Sequence, residues 1–127
     1  MTDPEPDAVL AAQMLPARTL AAQYEATSRR IVDLQRQVLE LADEQALTTH
    51  DDEHDPEGVT IGYQRAQIQG LLAGARADLA AVEEARGRLR HGDYGTCTRC
   101  GGPIGGLRLA ALPATSTCID CTGRRRG

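Results

Sequence analysis

Residues 94–121 read YGTCTRCGGPIGGLRLAALPATSTCIDC, and this stretch holds all four cysteines of a 127-residue chain. They fall as Cys97-x2-Cys100, then seventeen residues, then Cys118-x2-Cys121. Each short C-x2-C turn delivers two thiolates from one side, and zinc takes four soft ligands in a tetrahedron. The spacing therefore predicts one structural Zn2+ ion held by Cys97, Cys100, Cys118 and Cys121. Gly101 and Gly102 follow the first pair, where the chain curls around the metal and a positive φ is useful. The alternatives are reduced buried thiols or two disulfides; a lone C-x2-C would also read as a redox dithiol. With every cysteine used, no position stays open for a substrate water, so the site reads as structural.

Composition supports a small module attached to something long. There is no Phe or Trp, and only three tyrosines, Tyr24, Tyr63 and Tyr94. A large compact core is hard to build from such a chain. Alanine and leucine carry most of the apolar content, which suits closely packed helices. The net charge of −4 disfavours sequence-independent DNA binding, although all fourteen basic residues are arginine. The N-terminus, MTDPEPDAVL, has neither a basic region nor an apolar run, so signal peptide and membrane span are not expected. Zinc thiolates without an export signal fit a reducing cytoplasm.

Residues 17–49 contain no Gly or Pro and read as one helix. Leu20, Tyr24, Thr27, Ile31, Leu34, Val38 and Leu41 alternate at spacings of four and three, the seam of a coiled coil with one polar position. At about 1.5 Å per residue this helix would be about 50 Å long. A second helix is expected from 56 to about 91, with a seam of Ile61, Ile68, Leu72, Ala75, Leu79, Val82 and Leu89 and Arg86 as its irregular member. Gly58, Gly62, Gly70 and Gly74 suggest a thin, closely packed or bendable first half. His91-Gly92 is a stop signal. The short break between two helices of similar length predicts a mainly α fold, an antiparallel coiled-coil hairpin with a small C-terminal zinc-finger module. An intermolecular coiled coil is the rival. The expected organisation is a flexible or partly helical segment over 1–16, with Pro16 interrupting it or starting the next element, and the hairpin over 17–91 with its tip at 50–57. The zinc module follows over 92–121 and a basic tail over 122–127. Ile104, Leu107, Leu109, Leu112 and Ile119 are expected to pack on the root of the hairpin beside Leu20 and Leu89.

The break itself is dense in carboxylates: Asp51, Asp52, Glu53, Asp55 and Glu57. Asp55-Pro56 is a helix start, with Asp as cap and Pro at the first helical position. His50, His54, Asp51, Asp52 and Asp55 are of types that can bind a second metal, and hard-metal sites favour carboxylate clusters. No second cluster faces them, so a solvated, capped turn is the plainer reading. An acidic turn on a stiff hairpin also suits a probe that enters a positive or metal-containing cleft of a partner. Nothing else in the chain reads as catalytic. There is no spare cysteine, and the glycines after Cys100 are not followed by the GK[ST] of a phosphate loop. The zinc module is neutral by count, Asp93 and Asp120 against Arg99 and Arg108, and lacks the basic and aromatic residues of nucleic-acid readers.

Residues 92–121, GDYGTCTRCGGPIGGLRLAALPATSTCIDC, closely resemble the C-terminal zinc finger of the DksA/TraR family, bacterial transcription regulators that bind RNA polymerase directly. The family pattern YGxCxxCGxxIxxxRLxAxPxxxxCxxC is met by Tyr94, Gly95, Cys97, Cys100, Gly101, Ile104, Arg108, Leu109, Ala111, Pro113, Cys118 and Cys121. The resemblance implies a hairpin inserted through the polymerase secondary channel, with its tip near the catalytic magnesium. The tip of the best-known member has the form D-x-x-D-x-A. Here Asp52-Glu53-His54-Asp55-Pro56-Glu57 matches both aspartates and puts Glu57 in the alanine position. The resemblance thus points to Asp52 and Asp55 as the functional tip, with Asp51 and Glu57 as further candidates. Regulators of this kind often act with ppGpp; the extra charge and the proline leave that synergy open here. Longer members continue with a helix that helps grip the polymerase, whereas six residues follow Cys121, among them Arg124, Arg125 and Arg126. Either this basic tail substitutes for the helix, or binding is weaker and relies on the hairpin. The expectation is a cytoplasmic, non-enzymatic transcription regulator whose partner is RNA polymerase, without sequence-specific DNA binding or membrane association. The alternative is a zinc-stabilised coiled-coil interaction adaptor with a different partner. Direct DNA binding through the zinc module is the third reading.

Overall fold

The computed structural model describes residues 6–48 and 56–123. Two long helices, α1 (Pro6–Thr48) and α2 (Pro56–His91), precede two short ones, α3 (Gly106–Ala111) and α4 (Ile119–Thr122). Among the described residues the only β-type pairing is an isolated antiparallel bridge between Thr96 and Pro103. The long helices pair as an antiparallel hairpin, and the four cysteines gather in a small C-terminal module. The chain divides into two compact units, Glu25–Leu79 and Met1–Tyr24 with Ala80–Gly127. No helix among the described residues is long and apolar enough to cross a membrane.

In the Glu25–Leu79 unit the seam closes as its spacing predicts. Leu34, Leu72 and Ala75 are buried, and Ile31 and Ile68 pack against them. A fully buried leucine of this kind contributes about 1.5–3 kcal/mol through its removal from water. The outward faces mix exposed apolar residues such as Val32, Leu39 and Tyr63 with ion pairs such as Asp33–Arg36 at 3.3 Å and Arg36–Glu40 at 3.8 Å; such pairs add little. Arg65 fills the seam position between Ile61 and Ile68. It is half-buried and donates from Nη1 to Oε1 of Gln45 at 3.4 Å. The glycines act differently from the expectation of close packing. A Cβ at Gly62 would meet Gln45 at 3.2 Å, whereas Gly70 and Gly74 face open space. Of these three, only Gly62 is a close approach.

In the other unit Leu20, Val82 and Ala85 form the core, and Tyr24, Leu89, Tyr94 and Ala114 pack around it. Arg86, the irregular seam member, lies with its guanidinium 5.0 Å from the centre of the Tyr24 ring. That distance is within cation–π range of the ring. The stop at His91-Gly92 is a full Schellman ending. Gly92 has φ 84°, its N–H donates to Leu89 O at 3.3 Å, and Asp93 N–H donates to Arg88 O at 2.8 Å.

Two expectations need correction. Helix α1 does not break at Pro16 but runs through it from Pro6. An interior proline loses a backbone hydrogen bond and crowds the preceding turn, at a cost of about 3 kcal/mol. Its apolar ring gains a setting in return: Pro16, Leu15 and Thr19 line a groove of about 520 Å³ with Tyr94, Leu109 and Pro113. Second, the large hydrophobes of the zinc module do not all pack inward. Leu107 is 91% exposed and Ile119 71%, with Leu112 also exposed. A module this small has two sides and almost no interior, and Cys97 and Ile104 take what interior exists. Contact with the hairpin root is made by Tyr94 and Ala114 instead.

The candidate tip residues Asp51, Asp52 and Asp55, with His50, Glu53 and His54, lie outside the described residues, as do Arg124, Arg125 and Arg126. Helix α2 begins at Pro56, at the Asp55-Pro56 start signal, and Glu57 is its second residue.

Candidate metal centre

The first cysteine pair sits on a tight turn. Cys97 N–H donates to Gly102 O at 2.8 Å, Gly101 N–H donates to Cys97 O at 2.9 Å, and Ile104 N–H donates to Gly95 O at 2.9 Å. Gly101 has φ 76°, a conformation that side chains resist, so the glycine is what lets the turn close. Gly102 N–H points at the Cys100 sulfur at 3.4 Å. The second pair is carried by α4: Cys118 is its N-cap and Cys121 lies one turn on.

These turns bring all four sulfurs within 4.8 Å of one another. Cys100 Sγ lies 3.8 Å from Cys118 Sγ. A tetrahedron with Zn–S bonds of about 2.3 Å has an edge of about 3.8 Å, so the spacing fits zinc. A disulfide needs about 2.05 Å, and all four cysteines are free. The electrostatics agree. Hydrogen bonds from the backbone at Cys100 and then Cys118 lower the pKa of Cys97 to about 6. The neighbouring Cys118 thiol, followed by burial, pushes Cys121 up to about 12. The fold thus favours the thiolate at Cys97 and disfavours it at Cys121. Metal binding must release protons. The donor set and geometry fit one structural zinc ion.

The two pairs are held together by a clamp on the segment between α3 and α4. This segment has no ladder of its own, yet five consecutive carbonyls are satisfied. Pro113 O accepts from Tyr94 Oη at 2.8 Å. Ala114 O and Thr115 O accept from Arg88 Nη2 at 3.4 and 3.3 Å. Ser116 O accepts from Thr98 N–H at 2.8 Å and Thr98 Oγ1 at 3.1 Å. Thr117 O accepts from Arg108 Nε at 2.9 Å. Burial raises the pKa of Tyr94, with Arg88 pulling against it, so the phenol stays a donor. Arg99 Nη1 reaches Cys121 O at 3.0 Å. The sequence shows Arg99 as a charge and Arg108 and Tyr94 as positions of the finger pattern, but not Arg88, Arg108 and Tyr94 as clamps. The signal was present in LPATSTC, whose carbonyls needed donors from elsewhere.

A helical hairpin closed by a four-cysteine zinc module defines a zinc-finger hairpin protein. Residues 92–126 match the prokaryotic dksA/traR C4-type zinc finger. The fold is similar to that of the transcription factor DksA2 from Pseudomonas aeruginosa, with a TM-score of 0.74 and 26% sequence identity over 94% of this chain and 88% of that one. No curated protein matches the chain. Finger and fold agree: residues 92–126 are similar to the family's zinc finger, and the chain as a whole is similar in fold to a DksA transcription factor.

Proposed function

We propose that this protein is a transcription regulator that binds bacterial RNA polymerase directly and acts through the loop between α1 and α2. The observation that carries the reading is the conjunction of a dksA/traR finger at 92–126 with the fold of a DksA transcription factor. In this reading the hairpin enters the secondary channel, and Asp52 and Asp55 change the electrostatics near the catalytic metal. Asp51 and Glu57 add negative charge beside them. Cys97, Cys100, Cys118 and Cys121 ligate one zinc ion that holds the module in shape and takes no part in chemistry, since a closed four-thiolate site has no open position. The module's balanced charge supports protein contact over sequence-specific DNA contact. The protein is non-enzymatic and works in the cytoplasm, where polymerase is found.

Site-specific crosslinking from positions 51–57 in the presence of core polymerase tests partner and insertion together. Crosslinks to residues around the secondary channel are expected; their absence, with a different protein recovered, would favour the adaptor reading. The double variant Asp52→Asn/Asp55→Asn should retain polymerase in a pull-down and lose most of the effect in a run-off assay. Loss of binding and effect together would refute this division of roles.

A further inference from the structure

Arg108 sits on α3, outside the cysteine pairs, yet its guanidinium brackets the second pair at both ends. Nε donates to the carbonyl of Thr117, the residue before Cys118, at 2.9 Å. Nη2 donates to Oγ1 of Thr122, the residue after Cys121, at 2.9 Å. Thr122 Oγ1 also bonds to Cys118 O at 2.9 Å, and its hydroxyl meets that of Thr117 in a close contact. Thr115 Oγ1 reaches the same Thr117 carbonyl at 3.3 Å. One planar cation therefore ties together both flanks of the Cys118–Cys121 turn.

The turn needs such a tie. Helix α4 has four residues, too few to hold itself by backbone hydrogen bonds alone. Neither α4 nor α3 contributes a buried residue, so packing does not fix the two thiolates either. Arg99 adds a single bond to Cys121 O from an exposed position. Arg108 is half-buried and reaches two acceptors at different angles, which a fork of fixed geometry can do and a single ammonium cannot.

We propose that Arg108 is a zinc-retention residue: it positions Cys118 and Cys121 for the metal through Thr117 and Thr122, and its loss lets the second pair open and release zinc. The ligands themselves are unchanged, so this is a property of the residues around the metal and holds whatever partner the hairpin binds.

The test uses the full chain loaded with zinc and follows transfer of the metal to an excess chromophoric chelator, beside the helical circular dichroism signal. Arg108→Met should release zinc roughly 10–100-fold faster, the range typical for residues that orient metal ligands, with the helix signal kept. Arg108→Lys should fall between Met and the parent, because it keeps one of the two donors. Thr122→Val removes the hydroxyl junction and should also accelerate release, to a smaller extent. The cobalt-substituted protein adds a spectroscopic readout, since the visible bands of a tetrahedral four-thiolate site should weaken or shift in Arg108→Met. Release at the parental rate in Arg108→Met overturns the proposal. So does faster release that appears only with loss of helix signal, which would mark general unfolding. If Arg108→Met does not fold, the Lys and Val variants carry the same comparison, and parental rates in both overturn it.

Discussion

The seam of the Glu25–Leu79 unit and the C-terminal zinc module are stabilised in different ways. In the first, apolar side chains repeat along a seam, with Leu34, Leu72 and Ala75 buried and Ile31 and Ile68 packed against them. In the second, the zinc module has two buried apolar residues, Cys97 and Ile104, and one of them is a metal ligand. Its segments are joined by hydrogen bonds to five consecutive carbonyls and by the four sulfurs. Stability is graded where it comes from a repeated seam, and close to all-or-none where it comes from a metal.

The sharpest way to break that contrast is to remove one ligand. Cys97→Ser should reduce bound zinc from one equivalent to nearly none, because zinc ligation supplies on the order of 10 kcal/mol or more to such modules. Segment-resolved hydrogen exchange should show protection lost across 93–123 and kept across 31–75. Chelation of zinc from the parent should reproduce the pattern. Equal loss of protection in both segments would show that the hairpin also depends on the metal and would collapse the distinction.

A graded response is expected from Leu34→Ala, which truncates a buried seam residue. The cost should be about 2–4 kcal/mol, transfer plus the cavity left behind, read as a lower urea midpoint with zinc content unchanged. A smaller cost at full zinc content would mean that the helices slide together to close the gap.

The seam was legible because a period is a long-range signal written locally. Leu20, Tyr24, Ile31, Leu34, Val38 and Leu41 repeat often enough to fix one face of α1. The finger was legible for a different reason, since Cys97-x2-Cys100 and Cys118-x2-Cys121 state the chemistry outright. What escaped was short or non-local. Helix α3, at six residues, has too few turns to show which face is apolar, and Leu107 was misassigned to the inside. The clamp on the carbonyls of 113–117 draws on donors nine to twenty-seven residues away in sequence, so no window of sequence contains both partners. Arg65 fell in a gap of the apolar count, and its pairing with Gln45 depends on the partner helix.

The smallest expected effect concerns the other arginine in the seam. Arg86 stacks on Tyr24 where an aliphatic residue would keep the repeat, and Glu83 and Arg90 line the same surface groove. Two accounts are open to experiment. If the ring offsets the cost of placing a cation in the seam, Arg86 and Tyr24 are coupled. If Arg86 merely reaches past the ring to water, its stem packs like any aliphatic chain and the pair is independent. Arg86→Met alone does not separate these, because methionine restores apolar contact while it removes the charge. A double-mutant cycle with Tyr24→Leu does, since it cancels the packing terms of each single change. The stacked geometry predicts a coupling of about 0.5–1 kcal/mol in urea unfolding. It should persist in added salt better than the exposed Glu25–Arg29 pair, whose groups are 3.9 Å apart in open solvent. A coupling near zero would make Arg86 a tolerated interruption of the seam, and the polar layer would then owe nothing to the tyrosine beside it.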